Sequence, residues 1–123
     1  MRTNSRLLLA LLIAIFIPAL IGADSSIDEE QAQHILATRI QKDGLYNGRI
    51  SMECVSFILE ESSAEFLDFA LREKHGGKCP GDPSTAPVID RFRLNRQTKD
   101  IQWHEPVEGE FLPYAANMKQ RSR

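Results

Sequence analysis

His75, Asp82, His104 and Glu105 are the residues from which a metal or acid/base site could be assembled. Imidazole nitrogens and carboxylate oxygens are ordinary ligands of zinc, but zinc motifs space their ligands at short fixed intervals, and this set matches none of them. Two histidines at opposite ends of a sheet region read better as solvated side chains. Cys79 offers a second chemistry, a thiolate nucleophile with His75 as its base. Its surroundings argue against that, because Cys79-Pro80 in a glycine-rich turn has no helix N-terminus to lower the thiol pKa. Asp82-Pro83 and Ser84-Thr85 are explained by turn chemistry, the carboxylate and hydroxyls binding neighbouring backbone N–H groups. Nucleophile-elbow, phosphate-loop and His-Glu-x-x-His patterns do not occur. The expectation is therefore a protein with no catalytic residue, metal or cofactor.

Most of these groups fall in one segment, residues 75 to 87, whose glycines (Gly76, Gly77, Gly81) and prolines (Pro80, Pro83, Pro87) exclude both a helix and an interior strand. What fixes such a loop depends on the compartment. Residues 1–23 have a basic start (Arg2, Arg6), an apolar run from Leu7 to Ile17, a breaker at Pro18 and small residues up to Ala23, followed by the polar Asp24. That is the pattern of a secretory signal peptide, and the run is short of the roughly 20 apolar residues of a membrane span. An uncleaved anchor is the alternative; cleavage leaves a chain with no stable membrane insertion, periplasmic or secreted. In an exported chain the two cysteines, Cys54 and Cys79, are expected to pair, stabilising the domain by roughly 3 kcal/mol on a chain-entropy estimate. Two free thiols are the other possibility.

Removing Arg2 and Arg6 takes the formal charge from -2 to -4. No nucleic acid partner is expected, since phosphate binding requires clustered Lys and Arg. The closing Lys119 to Arg123 stretch is basic, and residues 115–123 read as a flexible tail behind a single domain of residues 24–114.

Ser26 and Glu29 have capping-box spacing, which predicts a helix start. Ile27, Ala32, Ile35, Leu36 and Ile40 share one face of that helix; Glu30, Gln33, Arg39 and Gln41 take the other, and Lys42 with Gly44 ends it. After a turn at Tyr46 to Gly48, residues 50–60 alternate as a strand with Val55, Phe57 and Leu59 on one side. Residues 61–64 reverse the chain, and Phe66 to Glu73 alternates again with Leu67, Phe69 and Leu71 inward. Residues 65–74 also admit a helix, because Ser62 and Glu65 form a second capping-box pattern; the strand is preferred for its aromatic-rich alternation. Val88 to Asn95 gives a third strand, and Ile101 to His104 a fourth that Pro106 ends. Residues 107–114 are expected to lie over the sheet edge.

The order helix, hairpin, strand, turn, strand, closing on Phe92 to Trp103 with Thr98 in its polar turn, resembles a PepSY-type domain over Ser26 to His104. Lys99-Asp100 replaces the glycine usual after that threonine, and the loop around Cys79 is an elaboration. The resemblance implies a small exported module with an inhibitor-like or binding activity, and it supplies no catalytic residues.

The fold expected is α+β: one N-terminal helix on a four-stranded antiparallel sheet, with one disulfide. Its solvent face would gather Asp68, Arg72, Arg91, Arg93, Gln102 and His104, either as a binding surface or as an ordinary charged face of cross-strand ion pairs. The stapled loop has the stronger claim to contact, because disulfide and proline restriction lower the entropy lost on docking. The expected partner-binding residues are Lys78, Pro80, Asp82, Arg72, Arg91 and Arg93. The function expected is non-enzymatic binding or inhibition of an unidentified envelope or secreted protein, such as a hydrolase or toxin; a small-molecule or metal-binding envelope module is the alternative.

Overall fold

The computed structural model describes residues 25–121 together with Ile15 and Ile17; the segment read as a signal peptide otherwise lies outside the described residues. Helix α1 spans Glu29–Asp43. Its capping box sits two positions later than Ser26 and Glu29 would place it. Asp28 Oδ1 accepts from the Gln31 N–H at 2.8 Å, and Gln31 Oε1 accepts from the Asp28 N–H at 3.0 Å. Asp and Gln satisfy the orphan donors as well as Ser and Glu do, and the later start leaves Ile27 outside the helix, buried. The chain leaves α1 through Gly44 in the left-handed region (φ 62°), a conformation that favours glycine.

Residues 52–54 form one 3-10 turn, so the first strand starts later than its alternation suggests. The strands are β1 (Val55–Ser62), β2 (Phe66–Glu73), β3 (Val88–Asn95), β4 (Ile101–His104) and β5 (Phe111–Pro113), and helix α2 follows at Tyr114–Arg121. They form an antiparallel meander in the order β1-β2-β3-β4-β5. The choice between strand and helix for residues 65–74 resolves as strand. Ser63 Oγ accepts from the Phe66 N–H (3.0 Å) while the Ser63 N–H bonds the Phe66 carbonyl (2.9 Å), which closes a hairpin where a helix would have begun.

Two expectations are corrected. Among the described residues the sheet has five strands, because residues 111–113 pair with β4 through His104↔Phe111, Trp103↔Leu112 and Gln102↔Pro113. Glu105 makes the intervening turn: its carboxylate accepts from the Val107 and Glu108 N–H groups at 2.9 and 2.6 Å. A three-residue strand ending in proline carries almost no periodic signal. Residues 115–121 are likewise not a flexible tail but most of α2, with Tyr114 and Asn117 buried.

Register gathers the large core side chains on one face. Phe57↔Leu71, Leu59↔Phe69, Phe69↔Phe92, Leu67↔Leu94 and Phe92↔Trp103 stack across the inner face. Ala32, Leu36 and Ile40 of α1 belong to the same buried cluster, with Leu45, Tyr46, Val55 and Tyr114. Burying that apolar area is the main force holding helix to sheet.

Candidate functional site

The segment from Lys74 to Pro87 joins β2 to β3, and five attachments hold it. The Cys54–Cys79 disulfide ties its middle to the residue before β1, with Cα atoms 5.5 Å apart. Gly76 and Cys79 exchange backbone bonds (2.9 and 3.0 Å) around a tight turn at Gly77 and Lys78. At the base, the Lys74 N–H reaches the Cys54 carbonyl (2.7 Å) and the Glu73 N–H reaches the Pro87 carbonyl (2.9 Å). Arg72 Nη1 donates to the Ala86 carbonyl at 2.8 Å.

The fifth attachment is His75, whose ring is the hub of the loop. Nδ1 lies 2.9 Å from both the Asp82 carbonyl oxygen and Thr85 Oγ1, and Nε2 lies 2.6 Å from Glu73 Oε2. A carbonyl and a carboxylate only accept, so both ring nitrogens donate, and the arrangement is that of an imidazolium. The Glu73 hydrogen bond, followed by that to Asp82, raises the His75 pKa above its ordinary value. Asp82 Oδ1 accepts from the Ser84 N–H (2.9 Å) and Oγ–H (2.8 Å), which holds that carboxyl below the usual range. Gly81 presses on the imidazole: a Cβ there would stand 2.5 Å from the ring, and its φ of 120° suits no other residue.

The six residues expected to bind a partner therefore have different surroundings. Lys78 and Pro80 are exposed on the loop. Asp82 is exposed too, but its carboxylate serves the turn. Arg72 braces the loop from β2. Arg91 and Arg93 are not part of the loop at all, and both are committed to ion pairs on the outer face. Arg91 Nε meets Glu60 Oε2 at 2.9 Å. Arg93 grips Asp68 with two bonds of 2.7 Å, its guanidinium 3.9 Å from the Phe111 ring centroid and 4.8 Å from that of Phe66. His104 packs edge-on against Phe111 at 5.0 Å. The outer face thus carries cross-strand ion pairs.

His75, Asp82, His104 and Glu105 do not form a ligand set. Among the described residues no group of His, Cys, Asp and Glu is placed to hold a metal ion, and no helix is long and apolar enough to cross a membrane.

Sequence reasoning missed the most connected carboxylate. Asp90 falls on the inner side of β3, 8 % exposed. It accepts from Tyr46 Oη (2.6 Å), Trp103 Nε1 (3.0 Å), Asn117 Nδ2 (3.3 Å) and Arg121 Nη2 (2.5 Å). Burial pushes its pKa up against the opposing pull of those hydrogen bonds, and burial next to Asp90 drives the Tyr46 hydroxyl far above its ordinary range. Every donor belongs to the protein's own framework, so the cluster is a fastening of α2 and the Tyr46 turn to the sheet. The signal was its parity: Asp90 alternates in phase with Val88, Phe92 and Leu94.

Compared with known proteins, the chain matches no family model, no curated protein and no solved structure.

Proposed function

We propose that this is a small exported binding protein, periplasmic or secreted, that inhibits or restrains another envelope or secreted protein through the loop of residues 75–87. One observation carries the reading. The loop is held from inside by His75, Cys79 and Asp82 while Lys78 and the run from Pro80 to Pro87 stay exposed. A surface so restrained loses little entropy on docking, which is the physical requirement of a protruding inhibitory segment. The resemblance to PepSY-type modules, some of which restrain peptidases, points the same way, and β5 and α2 lie beyond the residues it covers. The partner class follows from compartment and chemistry: a hydrolase or an incoming toxin with an acidic or polar cleft able to receive Lys78 and Pro80.

The test keeps the loop's internal fastenings and changes only its surface. Wild type and the double variant Lys78→Glu, Pro80→Ser are used as bait in extracts of the exported protein fraction, and recovered proteins are then titrated directly. Binding at least tenfold weaker for the variant supports the proposal; equal affinity removes the loop from it.

A further inference from the structure

The two edges of the sheet differ in kind. β5 is three residues long and ends in Pro113, which has no N–H to offer. That is a protected edge. Among the described residues β1, eight residues long, has β2 as its one strand neighbour; on its other side the Val55 N–H is taken by the Met52 carbonyl, and no backbone hydrogen bond reaches residues 56–59. Only its far half is blunted, by a bulge between Leu59 and Glu61 and by the acids Glu60 and Glu61. The open half carries Ser56-Phe57-Ile58-Leu59. Phe57 and Leu59 are half-buried, and Ile58 is 45 % exposed. From residue 25 onward, Ile58 and Val107 are the large hydrophobic residues left exposed among those described.

We infer that β1 is a self-association edge, pairing antiparallel with β1 of a second copy about a two-fold axis through Ile58. The register follows from the sequence. Centred on Ile58, the pairing sets Ile58 against Ile58, Phe57 against Leu59 and Ser56 against Glu60, so that apolar meets apolar on each face and no like charges stand opposite. Moving the centre one residue either way seats Ile58 against Ser56 or Glu60. A centre between residues would set an inner-face side chain against an outer-face one, which an antiparallel pair does not allow. Both sheets join into one, with the α1 helices on the same side.

The seam centres on Phe57, Ile58 and Leu59, far smaller than the roughly 1,200 Å² that a stable interface buries, so the dimer is weak and concentration-dependent. It is independent of the loop proposal and adds to it. A two-fold at Ile58 turns the two copies of residues 75–87 toward opposite ends of the joined sheet.

Sedimentation velocity of the purified protein from about 1 μM to about 1 mM tests the inference. The dimer fraction is expected to rise over that range, and Ile58→Lys to weaken association at least tenfold without moving the melting temperature. Because Ile58 would face its own copy, Ile58→Cys is expected to oxidise to a covalent dimer, and Val107→Cys is not. Amide exchange in residues 55–60 of the wild type, slower at high than at low concentration, reads the same seam without a mutation. A protein monomeric at the highest concentration, an Ile58→Lys dimer as strong as wild type, or residues 55–60 equally protected in the monomer would each overturn it.

Discussion

The indole N–H of Trp103 donates to Asp90 Oδ1 at 3.0 Å, joining β4 to a carboxylate on β3 that also receives Tyr46, Asn117 and Arg121. One acid therefore connects the turn after α1, two strands and the C-terminal helix. Removing a buried partner of this kind leaves several donors unsatisfied, which costs more than the pairing itself is worth. Asp90→Ala is expected to lower unfolding free energy by about 3–5 kcal/mol, measured by urea denaturation. Arg121→Ala, which removes one donor at the rim, should cost less, and amide exchange should quicken in residues 114–121. A loss below about 1 kcal/mol for Asp90→Ala would contradict the role given to it.

The same carboxyl has a pH signature. Its folded pKa lies above the unfolded value, so the folded state holds that proton more tightly. The contribution to stability is complete below the ordinary aspartate pKa and disappears as pH rises through the raised one. Asp90→Asn should remove this component, making stability less dependent on pH above the ordinary aspartate pKa than in the wild type. Parallel curves for the two proteins would count against it.

His75 titrates in the other familiar range. Its raised pKa means that the loop's fastening is fully present below about 6.5, the ordinary imidazole value, and weakens as pH rises through the higher folded value. NMR titration of the ring should give a midpoint above that of a free imidazole. Amide exchange at residues 76–85 should accelerate above the midpoint, and His75→Gln should abolish the pH dependence. A midpoint at or below the ordinary value would refute an imidazolium hub.

Gly81 is the loop residue least able to change. Alanine there meets the His75 ring and an unfavourable φ together, so Gly81→Ala should destabilise by more than about 1 kcal/mol. Gly77, where a Cβ would meet nothing within 4 Å, should tolerate alanine better. Thermal melts of both variants separate the effects, and equal losses would show that backbone conformation alone is responsible.

Reduction tests the staple. Cys54→Ser with Cys79→Ser is expected to lose about 3 kcal/mol, and protease cleavage should move into residues 76–86. An uncleaved loop in that variant would mean that His75 and Asp82 suffice to order it.

How far the sequence could be read depended on where its constraints were local. α1, β1 to β4, the disulfide and the position of the loop follow from periodicity, turn residues and cysteine arithmetic, all encoded over a few neighbouring positions. β5 and α2 do not. Phe111 to Pro113 is too short for a period, and α2 has a polar surface whose docking depends on Asn117 and Arg121 finding Asp90 far away in the chain. For the same reason the outer arginines could be placed on one face but not paired: Arg93 with Asp68 is a matter of register, and Arg91 with Glu60 also depends on the bulge in β1.

Arg96 gives the molecule a front and a back. It donates to the Ile27 carbonyl (2.8 Å), the Ser63 carbonyl (2.7 Å) and Ser62 Oγ (2.7 Å), while the Ile27 N–H returns to the Arg96 carbonyl (3.1 Å). The chain ahead of α1 is thereby moored at the end of β2 and β3 opposite the stapled loop, some 25 Å away at about 3.4 Å per residue. A tether joined before Ile27, whether a surface, a fusion or a larger partner, holds the protein by its back and leaves residues 75–87 pointing outward.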